Sequence, residues 1–296
     1  MDSKNKLMLI VNPISGNSDK DNLLKQIYLE IELRKLVLLE YETTGMDDTK
    51  KIKQLVKKNH IRHILVAGGD GTIQLVAKAI HNLDISVGIL PSGSANGLAS
   101  SLNLTEDIVT QIDIALGKHS TEIDILSVNN QLCLHIADIG INAELIENYD
   151  KSSLRGKVGY ALQTVPTLVS SDFPYKFKIE VNDKILEKEG ILVAIANAKK
   201  FGTGAVVNPK GKINDGLFEV VIFKNLDIVN ILETFDKNID LDKEFMEFES
   251  TAKATITCKK PIALQIDGEY IGKTKKIEAK LLPNKLRVMI PKNFKA

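Results

Sequence analysis

The chain has 296 residues, 44% of them hydrophobic and 26% charged, which is the balance of a globular protein of one large or two ordinary domains. A formal net charge of +1, with no interleaving of aromatic and basic residues, argues against a nucleic-acid partner. Cys133 and Cys258 match no zinc or redox spacing, and no run of about 18 apolar residues supplies a membrane-spanning helix, so a reduced cytoplasmic setting is expected.

The apolar run at 7–11 is too short for a signal-peptide core and reads as a buried strand. It leads into the turn Asn12-Pro13-Ile14-Ser15-Gly16. Leu23, Leu24, Ile27, Ile31 and Leu33 predict a helix over 21–35, followed by a strand at 36–41, Thr43 and Thr44, and a helix over 49–59. A third strand at 63–67 runs directly into Gly68-Gly69-Asp70-Gly71-Thr72, and a helix is expected from about 73 to 81. A fourth strand at 87–90 ends in Pro91-Ser92-Gly93-Ser94-Ala95-Asn96-Gly97. Strands alternating with helices imply a doubly wound parallel sheet, whose ligands bind at the carboxyl ends of the strands. Three of these four ends carry glycine-rich polar turns, which a scaffold alone does not need.

From about residue 121 the texture changes to short alternating segments. Strands are expected at 122–128, 132–138, 175–181, 190–196, 218–223, 252–257, 262–266, 276–281 and 286–290, with helices near 157–169 and 227–238. The fold class is therefore α/β plus all-β. An α/β nucleotide-binding domain covers 1–122 and an antiparallel β-sandwich covers 123–285, with the active site expected in the cleft between them. Cys133 and His135 share one face of a predicted strand, where packing is a better reading than a metal pair.

The densest chemistry is at Gly68-Gly69-Asp70-Gly71-Thr72. Glycines permit a sharp turn and close approach of a ligand to the main chain, and the following helix aims its positive end at the same point. Asp70 cannot attract phosphate itself. It suits a metal that is bound to phosphate, or a proton; the plainer alternative is a helix N-cap. The Asn12–Gly16 turn offers backbone N–H groups and an Asn side chain to a nucleotide, although in isolation a simple Pro-Gly turn is the better reading. Neither a Walker A loop nor a G-x-G-x-x-G fingerprint occurs. Further on, Asp215 in Asn214-Asp215-Gly216 is placed to bind a hard cation or to form a turn. Asp267 and Glu269 put two carboxylates at i and i+2, as a kinase general base or as an Asp-Gly hairpin.

In order along the chain, Asn12-Pro13-x-Ser15-Gly16, Gly68-Gly69-Asp70-Gly71-Thr72, Pro91-Ser92-Gly93-Ser94-Ala95-Asn96, Arg155-Gly156-Lys157-Val158-Gly159-Tyr160, Asp215-Gly216-Leu217 and Asp267-Gly268-Glu269 resemble the diacylglycerol kinase and sphingosine kinase family of lipid kinases, in its compact bacterial form. The resemblance implies an ATP- and Mg2+-dependent kinase acting on a diacylglycerol-like or long-chain-base lipid, in phospholipid metabolism. ATP would be bound by Asn12, Pro13, Ser15, Gly16, Thr43, Thr44, Gly68, Gly69, Asp70, Gly71, Thr72, Ser94 and Asn96. Asp70 would act near the Mg-phosphate group. A cation would be held by Asp215 and the backbones of Lys212 and Leu217. Glu269 corresponds to the general base, with Asp267 competing for that role. The last segment, 286–296, would return to the first domain.

The resemblance further implies transient contact with the inner membrane surface and pairing of copies into a homodimer; Lys151, Arg155 and Lys157 offer a weak basic contact, although a solvated helix start explains them better. Two departures stand out. Asn96-Gly97-Leu98-Ala99-Ser100 replaces the Asn-Asp-Phe-x-Arg of many members and is closer to sphingosine kinases; Asn17 stands where many place Lys. NAD kinases carry a related glycine turn and supply one alternative reading. A lipid- or nucleotide-binding regulator without catalysis supplies another.

Overall fold

The computed structural model describes residues 6–14, 20–93, 96–104, 107–151, 173–200, 206, 208–225 and 245–294. The helices expected at 157–169 and 227–238, the Arg155–Tyr160 motif, and Ser15, Gly16 and Ser94 lie outside them. The chain forms two units: Met1–Ile123 with Pro283–Ala296, and Asp124–Leu282.

Among the described residues the first unit holds a six-stranded sheet. Strands β1 (Lys6–Val11), β2 (Val37–Glu42), β3 (His63–Gly68) and β4 (Ser86–Pro91) run parallel in the order β2-β1-β3-β4. β16 (Leu286–Met289) joins β4 in parallel, and β5 (Ser120–Ile123) lies antiparallel to β16. Leu7, Leu9 and Val11 pack with Leu23, Ile27 and Ile31 of α1 (Lys20–Leu33) and with Ile112 of α5 (Ile108–Ala115). Met8 and Ile10, on the alternate face, are fully buried too, so β1 is apolar from Leu7 to Val11, as a strand covered on both sides must be. α3 (Asp70–Ile80) packs back on β3, and α2 (Asp48–Asn59) packs on α3. The chain leaves β1 outward to β2 and returns on the other side as β3. That reversal opens a crevice at the carboxyl ends of β1 and β3, the place where such sheets bind ligands.

Within the second unit the pairings are antiparallel. Its strands are β6 (Leu126–Val128), β7 (Gln131–Cys133), β8 (Ile136–Gly140), β9 (Tyr175–Val181), β10 (Lys184–Gly190), β11 (Leu192–Ala196), β12 (Phe218–Phe223), β13 (Met246–Thr251), β14 (Lys253–Ile266) and β15 (Glu269–Leu281), with α6 (Ile141–Lys151) after β8. β14 pairs with β15 along its length. Its other edge pairs first with β9, over Ala254–Cys258, and then with β8, over Leu264–Ile266. A register break between Thr257 and Ile262 lets one strand serve both neighbours. The sequence segments at 252–257 and 262–266 are therefore one strand.

Two expected strands are divided. The segment 122–128 breaks at Asp124, whose N–H leaves the ladder for the Ile213 carbonyl (2.8 Å). The segment 132–138 breaks at Leu134 and His135, so the alternation that placed Cys133 and His135 on one face is interrupted there. The helix expected from 73 begins at Asp70, because the glycine turn is itself its first turn.

The start of α2 rests on Asp48, which is 3% exposed. It accepts hydrogen bonds from the Tyr41 hydroxyl (2.6 Å), the Thr44 N–H and hydroxyl (both 3.0 Å) and the Gly45 N–H (2.8 Å). Burial alone would raise its carboxyl, but these donors outweigh burial and hold the pKa at about 2. A depressed carboxylate stabilises the fold above its unfolded pKa and loses that contribution as pH falls through the folded value. Asp48→Ala should therefore cost about 1–3 kcal/mol near neutrality. In thermal melts across pH, its difference from wild type should shrink between about pH 4 and pH 2.

Candidate functional site

In the first unit, three strand-end turns are fastened to one another. The Asn12 N–H donates to the Ala67 carbonyl (3.2 Å) and its Nδ2 to Thr72 Oγ1 (3.3 Å), while its Oδ1 accepts the Ile14 N–H (3.1 Å). The turn after β1 is thus tied to the end of β3 and the first turn of α3, with Pro13 and Ile14 left exposed. Gly68 and Gly93 are required by close approach. A Cβ on Gly68 would lie 2.5 Å from Thr72 Oγ1, and one on Gly93 would lie 2.4 Å from the Gly69 Cα. Gly69 is the N-cap of α3 and brings no side chain to cap it, so the positive end of an 11-residue helix faces the crevice with no side-chain acceptor at its cap. Asn96 closes the third turn on itself, accepting the Gly93 N–H (3.1 Å) and donating to the Gly93 carbonyl (3.0 Å).

Asp70 is half-buried and acts across this group. Its Oδ2 accepts the Gly97 N–H (2.7 Å) and its Oδ1 the Leu98 N–H (3.1 Å), at the start of α4 (Gly97–Ser101). It caps a helix, but that helix follows β4 rather than its own strand. Thr43 extends the parallel ladder, its N–H donating to the Val11 carbonyl (2.9 Å), and the Thr44 hydroxyl serves Asp48. The sequence reading does not reach Lys20. Its Nζ donates to the Asn12 carbonyl (2.5 Å), and burial lowers its pKa. The register of α1, rather than a motif, puts this cation beside the first turn.

In the second unit, Lys212, Asp215 and Leu217 lie exposed on the loop before β12. Asp215 Oδ1 accepts the Leu217 N–H (3.1 Å). Asp124, 3% exposed and not singled out in the sequence, accepts the Gly216 N–H (2.7 Å) and so fixes the same loop. An all-oxygen donor set of one carboxylate and backbone carbonyls suits a hard cation such as Mg2+. Among the described residues no three His, Cys, Asp or Glu side chains converge, so such a cation would rest mainly on carbonyls.

Asp267 and Gly268 form the two-residue turn between β14 and β15, both with positive φ (50° and 87°), the geometry of a type I′ hairpin. Asp267 is 8% exposed. Its Oδ1 accepts the His135 and Ile136 N–H groups (2.9 and 3.2 Å), and its Oδ2 accepts the Leu134 N–H (2.9 Å). This carboxylate is the reason the 132–138 segment bends. Cys133 Sγ approaches it at 3.4 Å; burial first, and then the Asp267 charge, pushes the thiol well above its ordinary value. Glu269, two residues on, is exposed and heads β15.

The diacylglycerol kinase catalytic domain model matches residues 6–128, and that of the YegS C-terminal NAD kinase beta sandwich-like domain matches residues 136–290. This chain belongs to the diacylglycerol kinase family of lipid kinases. A Bacillus subtilis diacylglycerol kinase is 26% identical over 89% of each chain. A Bacillus anthracis diacylglycerol kinase structure superposes with a TM-score of 0.75 over 98% of both chains, at 19% identity. An NAD kinase from Archaeoglobus fulgidus, solved with ATP, reaches a TM-score of 0.53 over 97% of this chain and 94% of its own, at 8% identity, and shares the fold alone. The parallel-sheet unit and the antiparallel unit of this lipid kinase are those of its family.

The buried thiol gives a direct check on the Asp267 bend. Native protein at about pH 8 should take up iodoacetamide at half-buried Cys258 and not at Cys133. In Asp267→Ala the bend loses its acceptor, and mass spectrometry should find Cys133 labelled as well.

Proposed function

We propose that this chain transfers the γ-phosphate of ATP to a hydroxyl of a diacylglycerol-like or long-chain-base lipid. The observation that carries the reading is the cluster of fastened turns at the switch point of the parallel sheet, with the start of α3 bare of any side-chain cap. The glycine-rich start of α3 at Gly69–Thr72 would hold the polyphosphate through backbone N–H groups, and Asn12, Ser15, Gly16, Thr43, Thr44, Ser94 and Asn96 would complete the nucleotide site. Lys20 supplies a cation where the sequence lacks one at Asn17. Asp70 keeps the second and third turns in register and would act near the phosphate-bound metal. Asp215, with the backbones of Lys212 and Leu217, would hold Mg2+ in the second unit, where its charge would stabilise the loop.

Glu269 takes the proton of the lipid hydroxyl as its oxygen bonds to phosphorus and the bond to the ADP oxygen breaks. Glu269 fits this better than Asp267, because Asp267 is buried and already accepts three backbone N–H groups. The protein would work in the cytoplasm, visiting the inner membrane surface where its substrate lies. No helix among the described residues is long and apolar enough to cross a membrane.

The test is transfer of labelled phosphate from MgATP to dioleoylglycerol, monoacylglycerol, sphingosine, ceramide and undecaprenol in micelles, with NAD beside them. Label on a lipid supports the reading and names the head group. Label on NAD alone overturns it. Separating the two acids requires both variants. Glu269→Gln should lower kcat by about 10²–10⁴ with an unchanged melting temperature. Asp267→Asn should instead lose about 1–3 kcal/mol of stability, through the buried N–H groups it no longer satisfies in full.

A further inference from the structure

Asp138 and Gln265 face each other across β8 and β14, in the register Leu264↔Ile139, Gln265↔Asp138, Ile266↔Ala137. They are 0% and 2% exposed, between apolar neighbours that pack as an ordinary core. Two polar side chains at such positions cost stability unless they are hydrogen-bonded, and packing alone would be served by Val or Leu. Their bonds form a directed chain. Asn142 Nδ2 and Gln265 Nε2 both donate to Asp138 Oδ2, at 2.6 and 2.5 Å. Gln265 Oε1 accepts the Gly268 N–H at 2.8 Å.

We propose that Asp138 and Gln265 are positioning residues, a strut that holds the Asp267–Gly268 turn in the geometry that presents Glu269 at the head of β15. The proposal rests on the reading of Glu269 as the base. The direction of the chain follows from chemistry. A carboxylate oxygen only accepts, so it turns the Gln265 amide with Nε2 toward itself. Oε1 is then aimed at the turn, where the Gly268 N–H needs an acceptor. A flipped amide would point a donor at a donor and free the turn.

Asp138 Oδ1 has no hydrogen-bond partner among the described residues. Burial raises this carboxyl to about 6. A proton taken up on Oδ1 leaves Oδ2 accepting as before, so the amide keeps its orientation in either protonation state. From the other side, Asp267 fastens the same turn to the Leu134–Ile136 bend. The residue before the proposed base is thus fixed through its N–H, and the one before that through its side chain.

The test compares Gln265→Met, which keeps length but removes donor and acceptor, with Gln265→Glu at about pH 6, where one proton shared between the two carboxyls keeps a donor for Asp138 and an acceptor for Gly268. Two readouts are taken on the full chain: exchange of the Gly268 amide proton by NMR, and kcat and KM with MgATP and dioleoylglycerol or sphingosine. In Gln265→Met, Gly268 exchange should rise about tenfold or more, and kcat should fall about tenfold to a hundredfold with KM for ATP within about twofold. Gln265→Glu should restore Gly268 protection and most of kcat. Wild-type Gly268 exchange and kcat in Gln265→Met overturn the strut, as does failure of Gln265→Glu to protect Gly268. If Gln265→Met does not fold, Gln265→Glu decides through the same two readouts. Wild-type turnover in Glu269→Gln, or no turnover of either lipid by the native chain, defeats the reading of the base instead; the Gly268 exchange rates still decide the strut.

Discussion

Backbone N–H groups at the ends of strands and the starts of helices must find acceptors, and in this chain carboxylates repeatedly supply them, Asp48 locally and the others from far along the sequence. Asp70 at the end of β3 meets the start of α4, Asp48 the turn after β2, Asp124 the loop before β12, and Asp267 the bend between β7 and β8. Each fixes one turn against another, which short glycine-rich segments cannot do through side-chain packing. The positions of the candidate site residues depend on these pins. They also sort the acids: Asp267 accepts three backbone N–H groups, whereas among the described residues exposed Glu269 carries no such bond.

Much of the fold follows from local patterns. The first unit alternates continuous apolar runs with helical spacing, and each run has one dominant period, so β1 to β4 fall within a residue or two of where those patterns place them. The strand at Tyr175–Val181 alternates buried and exposed residues without interruption and is equally plain. The strand breaks are not legible. Asp124 and Leu134 sit inside apolar-rich runs, and what interrupts those runs is a hydrogen bond to a residue about 90 or 130 positions away, a distance no local period records. α4 and α5 are too short to show more than about two turns of a pattern, and β10 is masked by its alternating charges. The long β14 reads as two segments because its register break carries Lys259, Lys260 and Pro261.

The site is legible in part, and for a definite reason. Glycines are visible because close approach of the chain to itself admits nothing else: a Cβ on Gly93 would collide with the Gly69 backbone. Residue identity therefore reports geometry. The roles of the acids are less visible, since an Asp that fastens a turn and an Asp that binds a metal look alike in sequence. Asp124, Lys20 and the pair Asp138 and Gln265 carry no motif and emerge only from register. The fold likeness to an NAD kinase underlines the point: a shared fold leaves the acceptor to be decided by the side chains around it.

The central claim is that the turns pinned by Asp70 form the nucleotide site. Amide hydrogen exchange with and without AMP-PNP and Mg2+ tests it most directly. Added protection should concentrate at residues 12–14, 69–72 and 93–98, with the antiparallel strands of the second unit little changed. Binding that leaves those three turns exchanging as in the free protein would contradict the account.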